Sequence, residues 1–304
     1  MIEAIEYFFF LLLNRIAQHL PFTVAGKVGR WLGSATFYLT PFRKKITLEN
    51  LSRAFPKTSE HERREIALGA YRNYGIALME MFWASNKSPE SLLPIVRVAN
   101  PEVFEELFGR GKGLVLLSGH FGSWELIIGP LRLHVGQPMS VIVQHQRNKR
   151  IDASVTRSRR RFGNTTIPMG PSVREVLTVL GKGGIVSMLG DQSGPRESVF
   201  IDFFGRPAAT RRGPAAFCLK TGAPMIMVFL VRQPDGTYVA TFEEVDLTGL
   251  DSYTEENVVE LTRRHVAILE KHIRLHPDHW LWMHKRWKHT PFHQAVEQTE
   301  DVVE

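Results

Sequence analysis

Residues 113–125 read Gly113-Leu-Val-Leu-Leu-Ser118-Gly-His120-Phe-Gly-Ser-Trp-Glu125, and the fold turns on them. The apolar run 114–117 is too short to make a helical face and is bounded by turn residues, so it predicts a buried strand. Helical spacing returns at 124–133, giving strand, turn and helix in succession. Similar alternation continues downstream. Residues 140–143, 165–167, 184–189 and 224–231 read as strands, separated by helices over 152–161, 172–182 and 211–221. Strands alternating with helices predict an α/β fold with a mixed, partly parallel sheet flanked by helices. Residues 238–242 are expected antiparallel to the strand before them, across the turn Gln233-Pro-Asp-Gly236. A long helix over 254–275 and an aromatic-basic segment over 279–289 follow.

Upstream the pattern is helical. Residues 59–84 begin with a capping serine and acidic residues and carry apolar positions at helical spacing. Before them lie two apolar stretches, an unbroken run at 7–13 and a second at 31–42 that leads into Arg43-Lys44-Lys45. The first is shorter than the roughly 20 apolar residues that span a bilayer. Apolar helices beside basic clusters suit the lipid interface, and packing into a soluble helical bundle is the alternative. The organisation expected is an N-terminal helical membrane-associating region at 1–100, an α/β core at 101–291 and a polar tail at 292–304.

Charge and cysteine content narrow the function. Lys and Arg exceed Asp and Glu by 38 to 31, a formal net charge of +7, which favours an anionic partner. A single cysteine, Cys218, permits no internal disulfide and sits in the apolar stretch Ala215-Ala-Phe-Cys218-Leu, so it reads as a core residue. Cations crowd residues 147–161, which favours binding to phosphate or to an acidic partner. No nucleic-acid recognition pattern accompanies them.

The chemistry is expected just past the strands' carboxyl ends, where open α/β sheets bind ligands. His120 with Glu125 after one strand and Asp191 with Gln192 after another occupy those places. Glycines 119 and 122 permit a sharp turn that lets substrate approach His120, and the helix start behind it would offer free N–H groups. A histidine oriented by a carboxylate is a general base able to take a proton from a hydroxyl. Ser118 lacks the preceding glycine of a nucleophile elbow. No metal-site spacing connects the histidines.

Several longer motifs together resemble one family. They are Arg43-Lys-Lys with Glu49-Asn-Leu-Ser-Arg-Ala-Phe-Pro56, the HxxxxE motif from His120 to Glu125, Asp191-Gln192 followed by Gly194-Pro and by residues 199–210, and Trp280-Leu-Trp-Met-His-Lys-Arg-Trp-Lys288. The chain resembles the bacterial lipid A biosynthesis acyltransferases of the lauroyl/myristoyl transferase type, which share the HxxxxE/D motif with lysophospholipid acyltransferases. The resemblance implies an enzyme at the cytoplasmic face of the bacterial inner membrane, held peripherally or by a single N-terminal anchor. It implies transfer of a fatty acyl chain from acyl carrier protein or acyl-CoA to a hydroxyl of a lipid A precursor or lysophospholipid, with no cofactor, no metal and no nucleic-acid partner. The anionic membrane surface and an acidic acyl carrier protein are the implied partners.

Carried onto this sequence, the resemblance makes His120 the base, with Glu125 and Asp191 as catalytic carboxylates sharing its orientation. Arg159, ahead of Arg161, would meet a phosphate or thioester oxygen, and Gln192 and Ser123 would contact substrate. By geometry, backbone N–H groups after the loop Gly205-Arg-Pro-Ala-Ala-Thr210 would help hold the oxyanion. The rival readings are a non-catalytic basic protein that binds membrane or nucleic acid, and an acyl-thioesterase with the same site.

Overall fold

The computed structural model describes residues 2–170, 172–195 and 198–289. The expected polar tail at 292–304 lies outside them. Four helices open the chain: α1 (Ile2–His19), α2 (Phe22–Leu39), α3 (Pro41–Ala54) and α4 (Glu60–Ala84). A short α5 (Pro89–Leu92) leads to β1 (Val96–Val98), α6 (Pro101–Gly109) and β2 (Leu114–Ser118). Alternation then runs through α7 (Pro130–Val135), β3 (Met139–Val143), α8 (Lys149–Arg160), β4 (Thr165–Pro168), α9 (Val173–Gly181) and β5 (Ile185–Leu189). A ribbon of β6 (Val199–Asp202) and β7 (Pro207–Thr210) precedes α10 (Gly213–Thr221), β8 (Met225–Arg232), β9 (Tyr238–Glu244) and α11 (Glu255–Leu275).

Seven strands form one sheet in the order β1-β9-β8-β2-β5-β3-β4. All neighbours are parallel except β8 and β9, which pair antiparallel with Val228 opposite Phe242. The mixed, partly parallel sheet read from the alternation is therefore present. β2 is buried at every position because helices cover both faces, which is why its sequence is an unbroken apolar run. Its side chains alternate between two cores. Leu114 and Leu116 pack with Met79, Phe82 and Trp83 of α4, while Val115 and Leu117 pack with Leu261 and Leu269 of α11 and with Trp280.

Helix α4 belongs to both cores, since its Ala67, Ala70 and Tyr71 join the second one. It starts at a complete capping box between Ser59 and Glu62. Helix α2 lies against it at backbone contact. A Cβ on Gly33 would fall 2.1 Å from the Tyr71 carbonyl oxygen, and one on Gly75 would fall 2.2 Å from that of Gly29. Small residues thus fasten α2 to α4, and α4 in turn joins both cores of the sheet. Among the described residues no helix is long and apolar enough to cross a membrane.

Two sequence-based expectations change here. The single helix at 124–133 is a 3-10 turn, Trp124–Ile127, followed by α7 from Pro130. Pro130 has no N–H to continue the ladder, and Gly129 adopts φ −110°, ψ −91°, outside helical geometry. The helix expected at 152–161 begins earlier, at Lys149, because the Asn148 side chain caps the backbone N–H groups of Arg150 and Ile151.

Candidate active site

Strand register assembles the site. β2 and β5 pair with Ser118 opposite Leu189, so His120 and Asp191, each two residues further on, emerge side by side at the sheet's carboxyl end. The loop after β2 is pressed into place by its glycines. Gly122 has φ +56°, and a Cβ there would lie 2.2 Å from the Leu230 carbonyl oxygen of β8, while a Cβ on Gly119 would crowd Asp191 at 3.3 Å. These glycines serve the approach of the turn to β8 and to Asp191, a closer constraint than the substrate access expected of them.

Asp191 is almost fully buried and accepts three hydrogen bonds. Its Oδ1 faces His120 Nδ1 at 2.8 Å, and its Oδ2 accepts from the His120 backbone N–H and from the Trp280 indole Nε1–H, each at 2.8 Å. A carboxylate only accepts, so Nδ1 carries the imidazole proton and Nε2 keeps its lone pair. The Gln192 amide nitrogen lies 3.4 Å from Nε2. Burial opposes charging of His120, but the Asp191 carboxylate outweighs it and raises the histidine pKa. Burial likewise penalises the Asp191 charge, yet His120 and the surrounding donors hold this carboxyl well below its usual range.

Glu125 has a different partner. Arg159 of α8 grips it side-on, Nη2 to Oε1 at 2.5 Å and Nε to Oε2 at 3.2 Å. The carboxylate that orients the imidazole is therefore Asp191, and the shared orientation expected of Glu125 is replaced by an ion pair with Arg159. His120, Glu125 and Arg159 line a cleft of about 380 Å³, with Tyr74, Trp124, Arg211 and Leu281 among its walls, and Asp191 lies buried behind His120. Beside it lies an apolar pocket of about 290 Å³ that shares Ile142, Met169, Leu189 and Arg211 with the cleft.

Other expected contacts are not in the cleft. Ser123 is fully buried. Its hydroxyl has no hydrogen-bond partner and lies toward Glu80, a buried carboxylate that accepts from Tyr238 at 2.7 Å and pairs with Arg232. A direct substrate contact by Ser123 is thus corrected to a place beneath the site. Arg161 points away from Arg159 and donates to the Ser85 carbonyl at 2.7 Å. Residues 207–210 form a ribbon strand paired with 199–202 and buried at 208–210. Arg286, in the aromatic-basic closing segment, is fully buried and donates to Ala209 O and Thr210 Oγ1.

The basic stretch at 147–161 is largely consumed by internal contacts. Arg147 pairs with Glu6 at 2.5 Å, Arg150 covers the Tyr7 ring, and Arg160 donates to Thr166 Oγ1 at 2.9 Å. Ser118 Oγ donates to the Val228 carbonyl at 2.7 Å inside the sheet. Cys218 is buried, which pushes its thiol pKa up. Sequence reasoning assigned no role to Trp280, Tyr74 or Arg211. The tryptophan-rich closing segment was the available signal for Trp280, but only the folded chain brings it to Asp191.

A family model described as "Bacterial lipid A biosynthesis acyltransferase" matches residues 2–289. The chain is 27% identical over 282 residues to the lipid A biosynthesis lauroyltransferase of Escherichia coli (strain K12), covering 91% of this chain and 89% of the relative. It is also 27% identical over 278 residues to the lipid A biosynthesis palmitoleoyltransferase of that organism, covering 90% and 87%. To the lipid A biosynthesis myristoyltransferase of the same organism it is 28% identical over 189 residues, covering 62% and 57%.

Proposed function

The chain belongs to the bacterial lipid A biosynthesis acyltransferase family, and from that premise we propose that this acyltransferase moves a fatty acyl chain from a carrier-bound thioester to a hydroxyl of a lipid A precursor, with His120 as general base. One observation carries the reading: His120 is held by Asp191 in the tautomer whose Nε2 can accept a proton, in the wall of an open cleft.

In the proposed step the acceptor O–H bond breaks toward His120 Nε2 and the oxygen bonds to the thioester carbonyl carbon. The tetrahedral intermediate collapses with loss of the carbon–sulfur bond, and the departing thiolate takes the proton back from the imidazolium. An ester and a free thiol result. Asp191 fixes the tautomer and stabilises the imidazolium that forms. Arg159, with Glu125 fixing its fork, supplies positive charge beside the cleft where the carbonyl oxygen becomes anionic. The apolar pocket next to the cleft suits a hydrocarbon chain, since Ile142, Ile167, Val176, Met188 and Phe217 line it.

The same reading places the enzyme peripherally on the cytoplasmic face of the inner membrane. What supports it is the exposure of Phe8, Phe9, Leu12, Trp31, Leu39 and Phe42 on the N-terminal helices, beside Arg43-Lys44-Lys45. The decisive experiment incubates purified protein with acyl-thioester donor, with and without lipid A precursor, and follows thiol release and lipid mass. Acylated lipid from wild type and none from His120→Ala is the expected result. Thiol release without lipid acylation would mean a thioesterase, and acylation by His120→Ala would remove the general base from the mechanism.

A further inference from the structure

Three cationic or potentially cationic side chains line the cleft among the described residues, His120, Arg159 and Arg211. Two have internal partners. His120 is paired with Asp191 and Arg159 with Glu125. Arg211 makes no hydrogen bond or ion pair with any described residue, although its neighbour Arg212 reaches Glu255 at 2.6 Å. The Arg211 side chain is half-buried and borders both the cleft and the adjoining apolar pocket. Its stem passes Gly194, where an added Cβ would fall 3.3 Å from Arg211 Cγ.

Arg159 faces Glu125 and His120 faces Asp191, so Arg211 is the cleft cation with no counter-ion beside it among the described residues, in a partly dehydrated wall. A cation in that position costs free energy in the empty protein, and an incoming anion recovers it. The guanidinium fork matches the oxygens of a phosphate in a two-pronged geometry. We infer that Arg211 binds a phosphate ester of a substrate entering this cleft.

The inference rests on the acyl-transfer reading, in which both substrates carry phosphate. The thioester arm of acyl carrier protein and of acyl-CoA is a phosphopantetheine, and lipid A precursors are phosphorylated glycolipids. Arg211 is separate from the reacting groups. It acts on substrate affinity, and its removal therefore raises KM more than it lowers kcat.

The test compares full-length wild type and Arg211→Gln in two arms. The first uses acyl-phosphopantetheine against acyl-pantetheine as donor, and the second uses a phosphorylated glycolipid acceptor against the same acceptor after phosphatase treatment. In one arm, Arg211→Gln should raise KM for the phosphorylated substrate about 10- to 100-fold. The KM for its phosphate-free partner should stay near the wild-type value. The arm that loses its discrimination identifies the phosphate's source. Unchanged KM in both arms, or an equal rise with and without phosphate, overturns the inference, as does a loss confined to kcat. An inactive wild type would instead remove the acyl-transfer reading beneath it.

Discussion

Trp280 donates its indole N–H to Asp191 Oδ2 at 2.8 Å across 89 residues of sequence. Both partners are buried, and the bond ends on the carboxylate that holds His120. Trp280→Phe keeps an aromatic ring but removes this donor. A hydrogen bond to a charged group contributes about 1.5–3 kcal/mol, so the variant should lose stability of that order and show reduced kcat. Urea denaturation beside steady-state kinetics checks both, and a variant of wild-type stability and rate would contradict the role assigned to the bond.

The histidine must be neutral at Nε2 to accept a proton, and its pKa is raised by Asp191. The rate at limiting substrate should therefore climb with pH below that raised value and level off above it. Asp191→Asn removes the carboxylate and should move the inflection to lower pH while depressing the plateau by about 10²- to 10⁴-fold. A pH–rate profile of both proteins reads this directly. An inflection that stays in place would show that another group controls the rate.

The same pair sets a pH dependence of stability. His120 has a folded pKa above its ordinary value, so its stabilisation is full below about 6.5 and is lost as pH rises through the folded value. Asp191 is depressed to about 2, so its contribution is present above the ordinary carboxylate range and is lost as pH falls toward that value. Denaturant midpoints of wild type and Asp191→Asn should converge toward acid pH. Parallel curves would be the contrary result.

Arg159 and Glu125 form a side-on pair with little exposure. Breaking a buried pair from one side costs about 3–5 kcal/mol because a charge is left alone, a figure that the residual exposure here reduces. Arg159→Gln and Glu125→Gln should each destabilise the protein, and the double variant should cost less than their sum. Unfolding free energies of the four proteins form the cycle. Simple additivity would mean that the pair is not coupled.

The contact between α2 and α4 tolerates no side chain at Gly33. Gly33→Ala must push the helices apart and should cost about 1–3 kcal/mol. Gly109, where an added Cβ meets nothing within 4 Å, serves as the control, and Gly109→Ala should change stability by at most about 0.5 kcal/mol. Thermal melting of the two variants distinguishes close packing from general glycine effects.

The sequence by itself determined β2, β3, β4, β5, β8 and β9, because strands buried in a covered sheet are rich in apolar residues and glycine and proline punctuate them, whereas the short β1 and the ribbon β6–β7 carried no such signal. The run 114–117, the capping box at Ser59 and the position of His120 after β2 were all legible in that way. Local pattern also placed His120 and Asp191 at strand ends. It overextended the helix at 124–133, where Gly129 and Pro130 interrupt the apolar spacing.

Only the tertiary structure decided which charges meet. Glu125 is five positions from His120 yet binds Arg159, while Asp191, 71 positions away, binds the imidazole because β2 and β5 are neighbours in register. Strand order likewise leaves Arg211 without a partner in the described fold and sends Arg286 into the interior. Hydrophobic period is a property of neighbouring residues and can be read along the chain. Coulomb pairing and desolvation depend on distances across the sheet, which exist only once the strands are assembled.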